Sequence, residues 1–224
     1  MYCTTILLYK EILHSDGVRS NLAAPNQDKT AGASIMSRAF STITFTPAVR
    51  AAQAQYGSRE RNMLFEEDSQ ERNAIAEQER AFIPYIDTFF ISSVGANGWP
   101  YVQHRGGPKG FLKILDDHTL GFADYAGNRQ YISAGNLMND DRVMLIVMDF
   151  AHRRRLKIWG RARIIHDADE PELLARLQMP GYRARVERGY IITIQALDFN
   201  CPQHITARFT EDEFAAMNKT KEPQ

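Results

Sequence analysis

From Thr88 to Phe199 the chain alternates short β-like runs with tight turns and offers no regular helical crossovers between them. Thr88–Val94 leads through Gly95-Ala96-Asn97-Gly98, a hairpin signal, into Trp99–His104. Phe111–Leu115, the turn Asp116-Asp117-His118 and Thr119–Tyr125 read as a second hairpin. Arg142–Phe150 is almost continuously apolar, the pattern of a strand covered on both faces, and Arg155–Ile165 and Gly189–Phe199 complete six or seven strands. Strands joined this tightly pair antiparallel. Curling them into a small barrel protects their edges and gives the inward side chains a common core. The expected class is therefore mainly β, an antiparallel barrel with peripheral helices.

The flanks read differently. Thr46-Pro47 looks like an N-cap followed by proline at the first helical position, and Gly57 like a stop, which predicts a helix over 47–56. Asp68 and Glu71 have capping-box spacing and predict a second helix through Ala81, ended by Pro84. Neither has a wide apolar face, so both are expected to pack over the core rather than build it. Asp169-Glu170-Pro171 opens a helix that ends near Pro180-Gly181. Residues 15–34 are rich in Ser, Asn, Ala, Gly and Asp without periodicity. The expected organisation is a disordered extension over 1–35, with Met36 as an alternative start. N-terminal helices over 36–84, the barrel over 85–210, and a C-terminal helix and tail over 211–224 complete it.

Charge balance, 27 basic against 27 acidic residues, gives no global field for nucleic acid or an anionic membrane. No apolar run approaches the roughly 18 residues of a membrane span. Lys10 and Glu11 directly after Met1–Leu8 argue against a secretory signal. Two cysteines, Cys3 and Cys201, make no disulfide framework, so a reducing, cytoplasmic compartment is expected. His104, His118, His152 and His166 are scattered, and no metal site is expected. The G-x-G-x-x-G, Walker A and G-x-S-x-G patterns are absent, and lone His204 anchors no triad.

Two segments carry chemistry. Trp99–Gly110 runs from a strand into a glycine-rich bend, Gly106-Gly107-Pro108-Lys109-Gly110, flanked by Arg105 and Lys109. Alone it is an ordinary loop. With its cations, glycines that allow close backbone approach and a guanidinium that forks two oxygens make a phosphate grip. Gly127-Asn128-Arg129-Gln130 is either a plain cap or the start of a helix over 129–137 whose first-turn N–H groups, with Arg129 and Asn128, meet the same phosphate. Tyr125 and Tyr131 read as packing residues. Arg153-Arg154-Arg155 is a solvated loop or a nucleic-acid patch, or one face of it meets a ligand's polar edge; Arg155, at the strand start, is the favoured contact.

These segments together resemble the pyridoxamine 5'-phosphate oxidase-like, FMN-binding split-barrel family, in its bacterial oxidase-related branch. The ordered set is Phe89-Phe90-Ile91, Gly98-Trp99-Pro100, Gln103-His104-Arg105-Gly106-Gly107-Pro108-Lys109-Gly110, Gly127-Asn128-Arg129-Gln130, Arg154-Arg155-Leu156 and Asn200-Cys201-Pro202-Gln203-His204-Ile205. The resemblance implies a six-stranded antiparallel split barrel and a homodimer with one FMN in each of two interfacial clefts. It implies cofactor contacts from His104, Arg105 and Lys109 and from Asn128, Arg129 and Gln130. It places Arg155 at the flavin's polar edge, with Gln203 and His204 approaching from the partner subunit. The true oxidases' C-terminal Arg and His pattern has no counterpart, and Gln130 stands where they carry a basic residue. The implied function is thus an FMN-dependent oxidoreductase acting on some small molecule, rather than vitamin B6 oxidation. The alternatives are a non-catalytic flavin or redox-buffer module, or a haem- or deazaflavin-binding relative on the same fold.

Overall fold

The structure, a computed structural model, describes residues 38–68, 71–199 and 203–219. The expectations placed on residues 1–35, on Met36 and on Asn200-Cys201-Pro202 lie outside them. Seven strands form one sheet: β1 (Thr88–Val94), β2 (Pro100–Gly106), β3 (Lys113–Asp116), β4 (Thr119–Tyr125), β5 (Arg142–Asp149), β6 (Arg154–Ile165) and β7 (Val186–Phe199). Their order is β2-β1-β5-β6-β7-β4-β3, and every pairing is antiparallel. The edge strands are β2 and β3, and β2 shares no ladder with β3 or with β4, so the barrel is split on that side. The count is seven, not six, because β3 pairs along the outside of β4. It starts at Lys113 rather than Phe111 because Phe111 and Leu112 turn into the core first, each 1% exposed.

Strict alternation builds that core. Phe89, Ile91, Leu120, Phe122, Leu145, Val147, Leu156, Ile158, Tyr190 and Ile192 all point inward. Four rings form a continuous column through it: Phe111 stacks on Phe89 at 5.3 Å, Phe89 meets Phe122 edge-on at 5.2 Å, and Phe122 stacks on Tyr190 at 4.9 Å. Each buried ring contributes roughly 1.5–3 kcal/mol. β5 is fully covered on its inward side, Val143, Leu145 and Val147, but only half-covered on the outward side, Met144, Ile146 and Met148. On the outside of β4 and β7, helix α6 (Pro171–Leu177) seats Leu174 and Leu177 against Ala123, Ile165 and Ile191. It stops at Leu177, short of Pro180-Gly181.

At the N-terminal side, α1 (Ala39–Thr44) stacks Phe40 on Trp159 at 6.2 Å. α2 (Pro47–Gln55) begins where the sequence predicts, the Thr46 hydroxyl accepting the Val49 N–H. α3 (Arg59–Glu67) was not expected, and neither α2 nor α3 buries a residue. The helix expected over Asp68–Ala81 does not form. Asp68 ends α3 and pairs with Arg38 at 2.6 Å. Arg72 sits at φ 48°, its carbonyl accepts the Leu197 N–H, and the Ile75 N–H donates to Asp117. Backbone groups spent on the sheet cannot close helical turns, so only α4 (Glu77–Arg80) remains, with the Glu79 carboxylate accepting the Ala76 N–H. Ile75, Phe82 and Ile83 then enter the barrel core, so this segment builds it rather than merely covering it. α5 (Ile132–Leu137) and α7 (Glu211–Lys219) complete the described elements, and no helix among them is long and apolar enough to cross a membrane.

Gly160 marks a register shift between β6 and β7, where a Cβ would lie 2.7 Å from the Ile192 side chain and 2.8 Å from the Thr193 carbonyl. Gly160→Ala should cost about 1–3 kcal/mol, because a backbone oxygen cannot yield. Gly135 in α5 faces open space, and Gly135→Ala should gain about 0.5–1 kcal/mol. Urea unfolding midpoints that moved the same way for both would contradict this packing.

Candidate functional site

Alternation along β2 sends Gln103 and Arg105 inward and His104 outward. From β2 the Arg105 Nη1 reaches across the split to Asp124 Oδ1 on β4, at 2.9 Å. The other Asp124 oxygen lies 3.4 Å from Arg188 Nε, and Arg188 Nη2 pairs with Glu187 at 2.6 Å. A bulge makes this possible: Asp124 is opposite Arg188 and Tyr125 opposite Val186, which leaves Glu187 unpaired in the ladder. Glu187 then lines the same cavity as Asp124. The four charged side chains are at most 15% exposed. Tyr190, at the end of the aromatic column, lies under the Arg105 guanidinium at 5.5 Å, and Tyr131 lies under that of Arg188 at 4.6 Å.

Burial pushes the Asp124 carboxyl above its ordinary value, while Arg105 and then Arg188 pull it back down. Burial likewise lifts the Tyr190 phenol to about 12, helped by the Asp124 charge. Arg105 Nε and the Tyr125 hydroxyl are buried without a hydrogen-bond partner, as is Arg188 Nε beneath them. Arg105 and Tyr125 line a small cavity of about 50 Å³, whose rim carries Asn128 and Arg129. That space suits one compact anionic group, well below the roughly 300 Å³ at which ring-sized sites begin.

The rim is a braced turn rather than a helix start. Asn128 Oδ1 accepts the Gln130 N–H at 3.1 Å, and Arg129 Nε donates to the Tyr131 hydroxyl at 3.2 Å. Arg129 and Tyr131 have φ of 59° and 55°, so α5 begins at Ile132 and not at residue 129. What the turn brings to the cavity is Arg129 and Asn128, not the N–H groups of a helix start. The glycine-rich bend also has a different rationale from close ligand approach. Neither Gly106 nor Gly107 has positive φ, and a Cβ on Gly107 would lie 2.8 Å from the Phe111 ring. Gly107 is there to let Phe111 into the core.

The nine residues singled out in the sequence therefore separate. Arg105, Asn128 and Arg129 surround the small cavity, and Gln130 braces its rim. Lys109 lines a second, larger cavity of about 540 Å³, with its Nζ 3.9 Å from Glu213. His104 lies on the outer face, its Nε2 2.7 Å from the Thr88 hydroxyl and its ring against Phe90. Arg155 shares that face, opposite Met148, and its Nε is buried without a partner. Gln203 and His204 are exposed in a turn beyond β7, His204 at φ 63°. Sequence reasoning missed Asp124, Glu187, Arg188 and Tyr190. The available signal was two adjacent charged residues, Glu187 and Arg188, near the start of a largely apolar strand.

Residues 75–198 match the family described as pyridoxamine 5'-phosphate oxidase. No curated protein matches the chain. Among solved structures, HupZ of Group A Streptococcus is similar over 60% of this chain and 99% of its own, at 15% identity and a TM-score of 0.46. General stress protein 26 of Bacillus anthracis is similar over 54% and 88%, at 15% identity and a TM-score of 0.41. An F420 reductase is similar over 55% and 98%, at 17% identity and a TM-score of 0.40.

Removing the shared carboxylate should expose the strain of the cluster. Asp124→Asn leaves the buried Arg105 guanidinium without a carboxylate and Arg188 with Glu187 alone, and should cost about 3–5 kcal/mol, read as a lowered melting temperature. Tyr190 supplies a pH test. Its folded-state value lies above that of the unfolded chain, so its contribution is complete below about pH 10 and is lost as pH rises toward 12. Stability should fall across that window less steeply in Tyr190→Phe than in the parent; parallel curves would contradict the burial of the phenol.

Proposed function

This chain belongs to the pyridoxamine 5'-phosphate oxidase family, and from that premise we propose that it is an FMN-binding homodimer acting as an oxidoreductase on a small molecule. The observation that carries the reading is the small cavity at the split. Two buried donors without partners, Arg105 Nε and the Tyr125 hydroxyl, line it beside the Arg129 guanidinium. Donors of that kind in a cavity of that size suit a terminal phosphate. Asp124 lines the cavity too, but its charge is spent on Arg105 and Arg188. Arg129, Asn128 and Arg105 would hold the phosphate, with Gln130 fixing the turn that presents Asn128. Arg155 and His104, on the outer face, would approach the flavin ring, and Gln203 and His204 would do so from the partner subunit.

FMN, when bound, supplies two-electron redox chemistry; the protein supplies binding, orientation and local charge. The half-covered outward side of β5, Met144, Ile146 and Met148, supports the dimer, since with Phe90 on the neighbouring strand it presents an apolar face for a second copy. A reducing, cytoplasmic setting fits the two-cysteine composition.

A visible spectrum of the purified protein separates flavin from haem and deazaflavin, and turnover with NADH or NADPH separates an enzyme from a redox buffer. Arg129→Ala should weaken FMN binding by about 1.5–3 kcal/mol, the range for hydrogen bonds to charged groups, and riboflavin binding far less. Lys109→Ala should weaken FMN less than Arg129→Ala does, because Lys109 lines the other cavity. Equal losses for FMN and riboflavin in Arg129→Ala would remove the phosphate assignment. A monomer by sedimentation at micromolar concentration would remove the dimer.

A further inference from the structure

The larger cavity has no part in that reading beyond Lys109. We propose that it is a separate binding site for a flat aromatic ring bearing an anionic group. Its volume, about 540 Å³, lies within the range of sites that enclose small molecules. Phe82, Tyr85, Phe150 and Met148 give it aromatic and polarizable walls.

Charge sets the sign of the ligand. Arg154 and Arg208 both line the cavity, and each guanidinium is held by aromatic rings. Arg154 lies 4.8 Å over Phe82 and 5.5 Å over Phe199, and Arg208 lies 5.3 Å over Phe150. Neither has a carboxylate partner among the described residues. Of the three wall carboxylates, Asp149 pairs with His152 at 2.9 Å. Glu213 accepts the Thr210 N–H at 2.9 Å and faces Lys109 at 3.9 Å. Asp87 and the His152-bound Asp149 touch neither guanidinium among the described residues, so both arginines keep edges that no carboxylate takes. Stacking occupies the flat faces of the guanidiniums and leaves their N–H edges open. An open edge of that kind binds a carboxylate or phosphate bidentately.

The test uses the full chain, once without flavin and once saturated with FMN, titrated with 2-naphthoate and with its neutral analogue 2-naphthalenemethanol. Naphthoate should bind more tightly than the alcohol in both forms. Arg208→Gln and Arg154→Gln should each weaken naphthoate about ten-fold or more and erase the preference, while leaving FMN affinity unchanged. Arg163→Gln, outside the cavity wall and paired with Glu170, should change nothing. No preference for the anion, or a preference that survives in both arginine variants, overturns the proposal. So does competition between naphthoate and FMN, which would make the cavity part of the flavin site. A protein that ignores FMN but still selects naphthoate through Arg208 would overturn the flavin reading alone.

Discussion

The contact between Arg105 and Asp124 ties edge strand β2 to β4 on the open side of the barrel, where the two share no ladder. β2 and β4 exchange no backbone hydrogen bonds, yet the 2.9 Å pair binds them side chain to side chain. Two further features converge on it. The column of rings from Phe111 to Tyr190 ends beneath the Arg105 guanidinium, and the bulge at Glu187 brings a second arginine to the same carboxylate. A backbone ladder would have closed the split completely. An ionic tie leaves room beside it, and that room is the small cavity. An isolated buried pair is a poor source of net stability, because desolvation offsets much of the attraction. Its value here is positional, since it fixes where unsatisfied buried donors stand beside the small cavity.

The strands were readable because a half-buried β-segment writes its pairing into a two-residue period and its ends into turn residues. Thr88–Val94, Thr119–Tyr125 and Arg142–Asp149 are found where that pattern puts them. Thr46 caps α2 for an equally local reason, one hydroxyl three residues from one N–H. The failures involve packing and pairing partners that no motif names. Nothing near Arg72 reveals that its carbonyl is taken by Leu197, so capping-box spacing at Asp68 and Glu71 predicted a helix that the sheet prevents. Gly107 looked like a ligand-approach glycine because Phe111, its reason for being small, is a packing partner rather than a motif member.

The candidate site shows the same division. Arg105, Asn128 and Arg129 were found from their types and spacing and do share a cavity. Lys109 was grouped with them because it is four positions from Arg105, but the bend carries it to another cavity. Asp124 escaped notice because a single acid in a strand has no motif. Its significance depends on the bulge that aligns it with Arg188, and bulges leave little trace in a sequence. Balanced overall charge also concealed how unevenly the chain places it: a compensated cluster at the split, and guanidiniums without a carboxylate partner among the described residues elsewhere.

The segment through Arg72 and Ile75 has a bearing on how the chain assembles. Its two anchors are Leu197, near the end of the last strand, and Asp117, in the hairpin between β3 and β4. It precedes every strand in the chain, yet its Arg72 carbonyl has no counterpart until β7 is in register, even after Ile75 has met Asp117. Contacts so distant in sequence slow folding through the entropy of closing the loop they span. Once made, they join the front of the chain to its final strand, so neither end can fray without releasing the other. The left-handed backbone at Arg72 is then held by the cooperativity of the whole barrel rather than by its own neighbours.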